Sequence, residues 1–299
     1  MLINKKHMLM GLLVVSTVTL SVGHGAASAI AQQTFGSPDL AAEAFVEAVA
    51  TDNDQALASI LGKNWKNFIP TDNISQEDVD AFISAWDQTH RFKPLAYGRV
   101  QLAVGPKDWT LPIPIVKQGD RWRFDVIAGA EEMRIRRIGR DELATMQAVL
   151  AYYDAQKEYS LADRNGDGIF EYAQRLVSIP GKRDGLYWPV TTGEEESPLG
   201  PLFGKDEPGK DYNGYYYRIL TAQGQNAPGG AYDYMIGGRM TAGFGLVAWP
   251  VRYDDTGVMT FVVSHDGKVF QKDLGPDTDA EARAMTLFDP DSSWEEVTP

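Results

Sequence analysis

The sequence contains no cysteine. That absence excludes a disulfide framework, a thiolate zinc site, a cysteine nucleophile and a lipid-modified cysteine anchor, so burial alone must stabilise the fold. Basic charge is in deficit, with 28 Lys and Arg against 41 Asp and Glu. Such a surface repels phosphate backbones and anionic headgroups, and nucleic acid is not an expected partner. Long apolar runs are missing beyond the N-terminus, so no later segment meets the roughly 18 to 20 residues that cross a bilayer. Also missing are a metalloprotease helix motif, a nucleophile elbow and a phosphate-cradling loop. Gly237-Gly238 and Gly243-Phe244-Gly245 flank apolar runs and read as turns and close-packed backbone.

The N-terminus has a different character. Lys5 and Lys6 precede the uncharged apolar run Met8 to Val22, and Ala29-Ile30-Ala31 offers small residues ahead of Gln32. This is the order of a secretory signal peptide, expected over residues 1–31. An uncleaved anchor is the alternative, but Gly23-His24-Gly25 interrupts the run. Removing Lys5 and Lys6 leaves 26 basic against 41 acidic side chains, a net charge of −15. The expectation is a periplasmic or secreted protein with no stable membrane insertion after cleavage.

Residues 32–138 read as helices followed by strands. Ser37-Pro38-Asp39 starts a helix with a cap, a proline suited to the first turn and an acid near the positive end of the dipole. Ala41, Phe45 and Val49 follow at helical spacing. A second helix carries Leu57, Ile60 and Leu61 and stops at Gly62; a third opens at Ser75 with Asp78 three residues on and presents Phe82 and Trp86. Val100, Leu102 and Val104, then Trp122, Phe124 and Val126, alternate with more polar or smaller residues, as half-buried strands do. Pro112 and Pro114 cannot donate to a ladder, which places Leu111 to Val116 at a sheet edge. This order resembles the NTF2-like, cystatin-related fold, helices packed in a curved antiparallel sheet. Some members of that fold are enzymes with an Asp-His pair in the pocket. Here His90, in Asp87-Gln88-Thr89-His90-Arg91, is expected to be solvated or capping, and the pocket to take something apolar or be filled by Trp65, Phe68 and Trp86.

Residues 139–299 form the second expected unit. Gly129 to Ile138 is charged and helical, Gly139 loosens the chain, and Asp141 caps a longer helix to about Leu161 with Leu143, Met146, Leu150 and Tyr153 on one face. Glu171 to Ile179 reads as a short helix. Pro180 to Asn213 reads as an irregular connection in which Glu194-Glu195-Glu196 is a solvated triplet. Four apolar-aromatic runs close the chain, Gly214 to Leu220, Gly243 to Pro250, Gly257 to Val263 and Lys268 to Leu274, bounded by turn residues as in an antiparallel meander. In Tyr215-Tyr216-Tyr217 the alternation sends Tyr216 to the face opposite its neighbours. That face is then exposed, covered by the 180–213 connection, or in contact with a partner.

A helix, an Asp-Gly loop and a four-stranded meander with an Asp266-Gly267 hairpin are similar in order to the head of a pilin or pseudopilin. Pilin assembly is not implied, because the N-terminus lacks the cleavage glycine and the glutamate that a prepilin needs. At family level, Asp163 to Ala173, Gly214 to Gly224 and Gly243 to Gly275 resemble the bacterial exported family known as domain of unknown function 2950. The resemblance covers nearly the whole mature chain and carries no assigned activity. The fold class expected overall is α+β.

Three features are candidates for chemistry. Asp163, Asn165, Asp167 and Glu171 stand at positions 1, 3, 5 and 9 of a calcium-loop pattern with Gly168 at position 6, but position 12 is Gln174. Asp, Asn and Gly are equally what a metal-free Asx-rich turn requires, so the turn is the first reading and calcium the second. Ser264-His265-Asp266 holds the three side-chain types of a hydrolytic triad, yet consecutive residues of a strand point to opposite faces and cannot form the relay. Trp188, Tyr212, Tyr215, Tyr217, Tyr232 and Tyr234 either pack the sheet or line a surface for a protein or glycan. No catalytic residue and no obligate cofactor is expected. The leading function is a non-enzymatic interaction or assembly module of the envelope, ahead of a polysaccharide-binding protein or an acid-residue hydrolase.

Overall fold

A computed structural model describes residues 32–298 except 72–73, 165, 191–192, 194 and 201–210. The expected signal peptide lies outside the described residues. The chain is mixed α+β, built from antiparallel sheets and five α-helices among the described residues.

Helix α1 (Pro38–Ala50) begins where Ser37 accepts the Leu40 N–H, and α2 (Asp54–Leu61) where Asn53 accepts that of Ala56. Gly62 ends α2. Helix α3 (Gln76–Gln88) carries the reciprocal capping box of Ser75 and Asp78. Strands β1 (His90–Leu95), β2 (Arg99–Val104), β3 (Trp109–Thr110), β4 (Ile115–Gln118) and β5 (Arg121–Phe124) form one sheet in the order β1-β2-β4-β5, with β3 paired to β2 as well. Phe45, Leu57, Ile60, Trp65, Leu102, Ile115 and Phe124 form its core.

Two expectations fail here. Strand β4 is flanked on both sides, so Leu111 to Val116 is not a sheet edge. Both prolines fall in the jog between β3 and β4, which pair with different stretches of β2. Val126 opens a helix, not a strand end, because Asp125 turns its carboxylate onto the Ala128 N–H and caps it.

That helix, α4 (Val126–Tyr159), runs 34 residues without a break at Gly139. The unit boundary expected at 138/139 therefore lies inside it. Val126 belongs to the first core, and Gly129 passes so near Ile113 that a Cβ would meet its Cγ1 at 2.9 Å. Further along, Arg136 donates to the Thr110 carbonyl at 2.6 Å, while Arg134 reaches Asp254 Oδ1 at 2.6 Å and Arg137 the Asp255 carbonyl at 3.1 Å. Opposite-facing arginines thus clasp α4 between the two halves of the chain. Its last four turns bury Thr145, Val149, Tyr152, Gln156 and Tyr159, whereas Leu143 of the expected face is half exposed. Polar Thr145 and Gln156 can be buried because each is hydrogen-bonded, to Tyr217 and to the Ala173 backbone.

The remaining strands are β6 (Tyr215–Leu220), the short β7 (Ala222–Gln223), β8 (Tyr232–Asp233), β9 (Met235–Ile236) and β10 (Arg239–Met240), then β11 (Gly245–Pro250), β12 (Met259–Ser264) and β13 (Val269–Asp273). Helix α5 (Thr278–Ala284) and β14 (Glu295–Val297) follow. The meander is present, extended by one strand, in the order β14-β13-β12-β11-β6. Leu246, Ala248, Phe261 and Val263 face α4, and Val247, Trp249 and Val262 face Ala282 of α5 and Phe288. Tyr215 and Tyr217 side with α4 and Tyr216 with the opposite layer, as alternation requires. Among the described residues, the cover on that opposite layer comes from the C-terminal segment, Ala282, Met285, Phe288 and Trp294.

Candidate functional site

The site is a cleft at the C-terminal end of α4. After Ser160 the chain reverses around Asp163, whose Oδ1 accepts the Gly166 N–H at 2.8 Å and the Asp167 N–H at 3.3 Å while Oδ2 accepts that of Gly168 at 2.8 Å. This turn aims Arg164 back between the rings of Tyr159 and Trp188, its guanidinium 5.4 Å from each. Arg164 is buried there and ion-paired with Glu195. Arg183 meets the other oxygen of Glu195 at 2.8 Å and lies 5.5 Å from the Trp188 ring. Trp188 closes the group by donating its indole N–H to the Glu195 carbonyl at 3.1 Å. Glu195 thus carries two arginine ion pairs while staying half exposed, and Glu196 is exposed, as a solvated loop requires; Glu194 lies outside the described residues.

The cleft's other wall was expected to be a helix over Glu171 to Ile179, and it is not one. Gln156 captures both polar groups of Ala173, donating to its carbonyl and accepting its N–H at 2.8 Å each, and Met240 accepts the Tyr172 N–H. With its hydrogen bonds taken by long-range partners the segment stays extended and pairs with 185–187 through Leu186 to Arg175, Tyr187 to Leu176 and Ser178 to Tyr187. Gly185 is required at that approach, since a Cβ would meet the Ser178 nitrogen at 2.7 Å.

Between these walls lies a cavity of about 580 Å³ lined by Tyr159, Tyr172, Arg164, Arg175, Lys182 and Arg183, together with Glu171 and Asp184. Four basic side chains here meet three carboxylates, counting Glu195 behind the lining, in a chain whose net charge is −13. Burial, then the charge of Asp167, raises the Glu171 carboxyl above its ordinary value. Burial, then the charge of Glu171, pushes the Tyr159 phenol up to about 12. The cleft offers fixed cations, aromatic faces and a carboxyl biased toward its protonated form. Arg175, Lys182 and Arg183 carried a sequence signal, a basic cluster on an acidic chain; Tyr159 and Arg164 reach it only through the turn.

The other expected site residues are dispersed. Tyr215 and Tyr234 are buried, with hydroxyls donating to the Met259 carbonyl and to Gln223 Oε1, each at 3.0 Å. Tyr217 bonds Thr145 and packs beside Tyr212, and Tyr232 places its hydroxyl 3.0 Å from His265 Nε2. Of the six aromatics Trp188 belongs to the cleft. In the calcium pattern, Asp167 pairs with Arg239 at 2.5 Å, and Asn165 lies outside the described residues. Among the described residues no group of three or more His, Cys, Asp or Glu is placed to hold a metal. His265 Nε2 stands 3.8 Å from Asp266, and the Ser264 hydroxyl accepts the Asp266 N–H, so the three do not form a relay. His90 is exposed and stacks on Trp86 with ring centres 3.7 Å apart.

The architecture defines an α+β protein in which one long helix joins an antiparallel sheet to a meander and ends in a cationic cleft. The chain matches, over residues 32–297, the family described as Protein of unknown function (DUF2950), and it belongs to that family. No curated protein matches it. No solved structure matches it either. No helix of the described residues is long and apolar enough to cross a membrane.

Proposed function

We propose that this DUF2950 protein is exported to the periplasm or beyond and acts there as a non-enzymatic binding module, holding an acidic envelope polysaccharide in the cleft below α4. The observation that carries the reading is the concentration of Arg164, Arg175, Lys182 and Arg183 beside two tyrosine faces on an otherwise acidic chain. Aromatic rings suit the apolar faces of sugars, and fixed guanidinium groups suit carboxylates. The signal-peptide pattern of residues 1–31 supports export. The order of elements supports an NTF2-like first unit and a pilin-like second one, without carrying either fold's task with it.

Titration calorimetry with an oligogalacturonate, against neutral cellohexaose, tests the reading. Saturable binding of the acidic sugar that weakens with salt and is lost in Arg175→Glu/Lys182→Glu is expected. Equal affinity for both sugars, or for neither, sinks it, and a stoichiometric protein recovered by cross-linking in the native periplasm would point to an assembly module with a protein partner.

The acid-residue hydrolase is the second reading. It draws on the raised Glu171 carboxyl, which shares the cleft with Asp184. Release of reducing ends from the polymer, abolished by Glu171→Gln with binding retained, would establish it.

A further inference from the structure

A second cavity system lies in the first unit, remote in sequence from the cleft. Helix α3 packs Phe82, Ile83, Ala85 and Trp86 against the core, yet none of its residues is fully buried. It is pinned at its C-terminal turn, where Gly105 donates to the Ala85 carbonyl at 3.1 Å and would carry a Cβ only 3.2 Å from that of Ala85. Two cavities of about 410 and 500 Å³ lie along α3, from Gln76 to Ala85, and share Phe45, Val49, Ile74 and Val79 as lining, so they adjoin as one trough. Trp65 lines one end, Val104 and Trp109 the other. Of the rings expected to fill a pocket, Phe68 is exposed and Trp86 is committed to His90.

We propose that this trough binds a single alkyl chain carried on a cationic or uncharged head group. Its size falls within the roughly 300 to 1,000 Å³ of small-molecule sites and is far too small for a peptide helix about 10 Å across. An extended peptide would bring amide groups against the part of the trough lined by Val79, Ala81, Phe82, Ala85 and Val104 and leave them unpaired there. A hydrocarbon chain has no such groups. The charge at the rim selects the head. Asp52, Asp54 and Asp78 line the trough with one base, Lys66, which is bonded to Asp54 at 2.6 Å. Helix α3 adds Glu77, Asp80 and Asp87 and has no Lys or Arg. A carboxylate or phosphate head would be repelled, and an ammonium attracted.

Full-length mature protein titrated with dodecyltrimethylammonium, dodecyl maltoside and dodecanoate, each below its micelle concentration, provides the test by calorimetry and thermal denaturation. The first two bind saturably and raise Tm, and dodecanoate binds on the order of tenfold more weakly. Val79→Trp fills the trough at its middle and abolishes binding. Ile74→Trp does the same from the exposed mouth, where the larger side chain does not threaten folding. Binding unchanged in folded Ile74→Trp, or no saturable binding of any alkyl probe, overturns the proposal. Preference for dodecanoate overturns the head-group assignment, and capture of a cationic amphipathic peptide without alkyl binding replaces the ligand by a macromolecule.

Discussion

Glu142 on α4 accepts the backbone N–H of Val258 at 2.8 Å, and the same oxygen accepts that of Met259 at 3.0 Å. One carboxylate thus fixes the start of β12 to the helix that spans both halves of the chain. Hydrogen bonds to a charged group contribute more than neutral ones, and Glu142→Ala leaves two strand-entry donors without their acceptor, so a loss of about 2 kcal/mol is expected in urea unfolding. Glu142→Gln, which keeps one acceptor oxygen, should lose less. Equal midpoints for wild type and Glu142→Ala would mean that water replaces the carboxylate without cost.

Gly257 and Tyr215 occupy one another's space. A Cβ on Gly257 would lie 2.0 Å from the Tyr215 hydroxyl oxygen and 2.5 Å from Cζ. That ring is buried and its hydroxyl is committed to the Met259 carbonyl, so it cannot retreat cheaply. Gly257→Ala is expected to destabilise by about 1–3 kcal/mol, the usual cost of overpacking. In a Tyr215→Phe background the clash shrinks but does not vanish, and the penalty for Gly257→Ala should fall. Additive effects of the two substitutions in a double-mutant cycle would count against a direct collision.

The legibility of this fold in its sequence follows how local each cause is. The Ser75–Asp78 box and the Gly62 stop act within four residues, and both could be read; so could the opposition of Tyr216 to Tyr215 and Tyr217, which strand alternation dictates. Gly139 misled because a glycine costs about 1 kcal/mol in an isolated helix, while Arg134, Arg136 and Arg137 secure the surrounding turns to Asp254, Thr110 and Asp255. Glu171 to Ile179 misled for the converse reason, since the groups that unmake a helix there, Gln156 and Met240, are 17 and more residues away in sequence. The cleft inherits this difficulty. Its bases were visible as types, but Arg164 becomes part of it only because the Asp163 turn folds back onto Tyr159 and Trp188.

That turn makes its own prediction. Asp163 takes three backbone N–H groups, from Gly166, Asp167 and Gly168, and Asp167 Oδ1 accepts the Ile169 N–H. Carboxylates that accept from their own loop suit the metal-free Asx-rich turn. Asp163→Ala should lower Tm and loosen Arg164, detectable as a change in Trp188 emission, to the same extent with millimolar calcium or with chelator. A calcium-dependent rise in wild-type Tm that chelator reverses and Asp163→Ala removes would instead establish the loop as a calcium site.

Asp141 gives the pH dependence a sign. Burial is the largest influence on its carboxyl and raises the pKa above the ordinary 3.8, against the opposing pull of Arg140, 3.5 Å away. The folded state therefore holds this proton to a higher pH than the unfolded chain does. Its favourable contribution is complete below 3.8 and is lost as pH rises through the folded-state value, leaving an ionised, partly desolvated carboxylate at neutral pH. Asn cannot ionise, so the stability of Asp141→Asn relative to wild type should improve as pH rises from about 3 to 7, whatever its absolute offset. Paired unfolding curves across that range measure the difference directly. A difference that stays flat would mean that the Arg140 ion pair cancels burial, and one that turns against the variant with rising pH would mean that it outweighs burial and holds the pKa below its ordinary value.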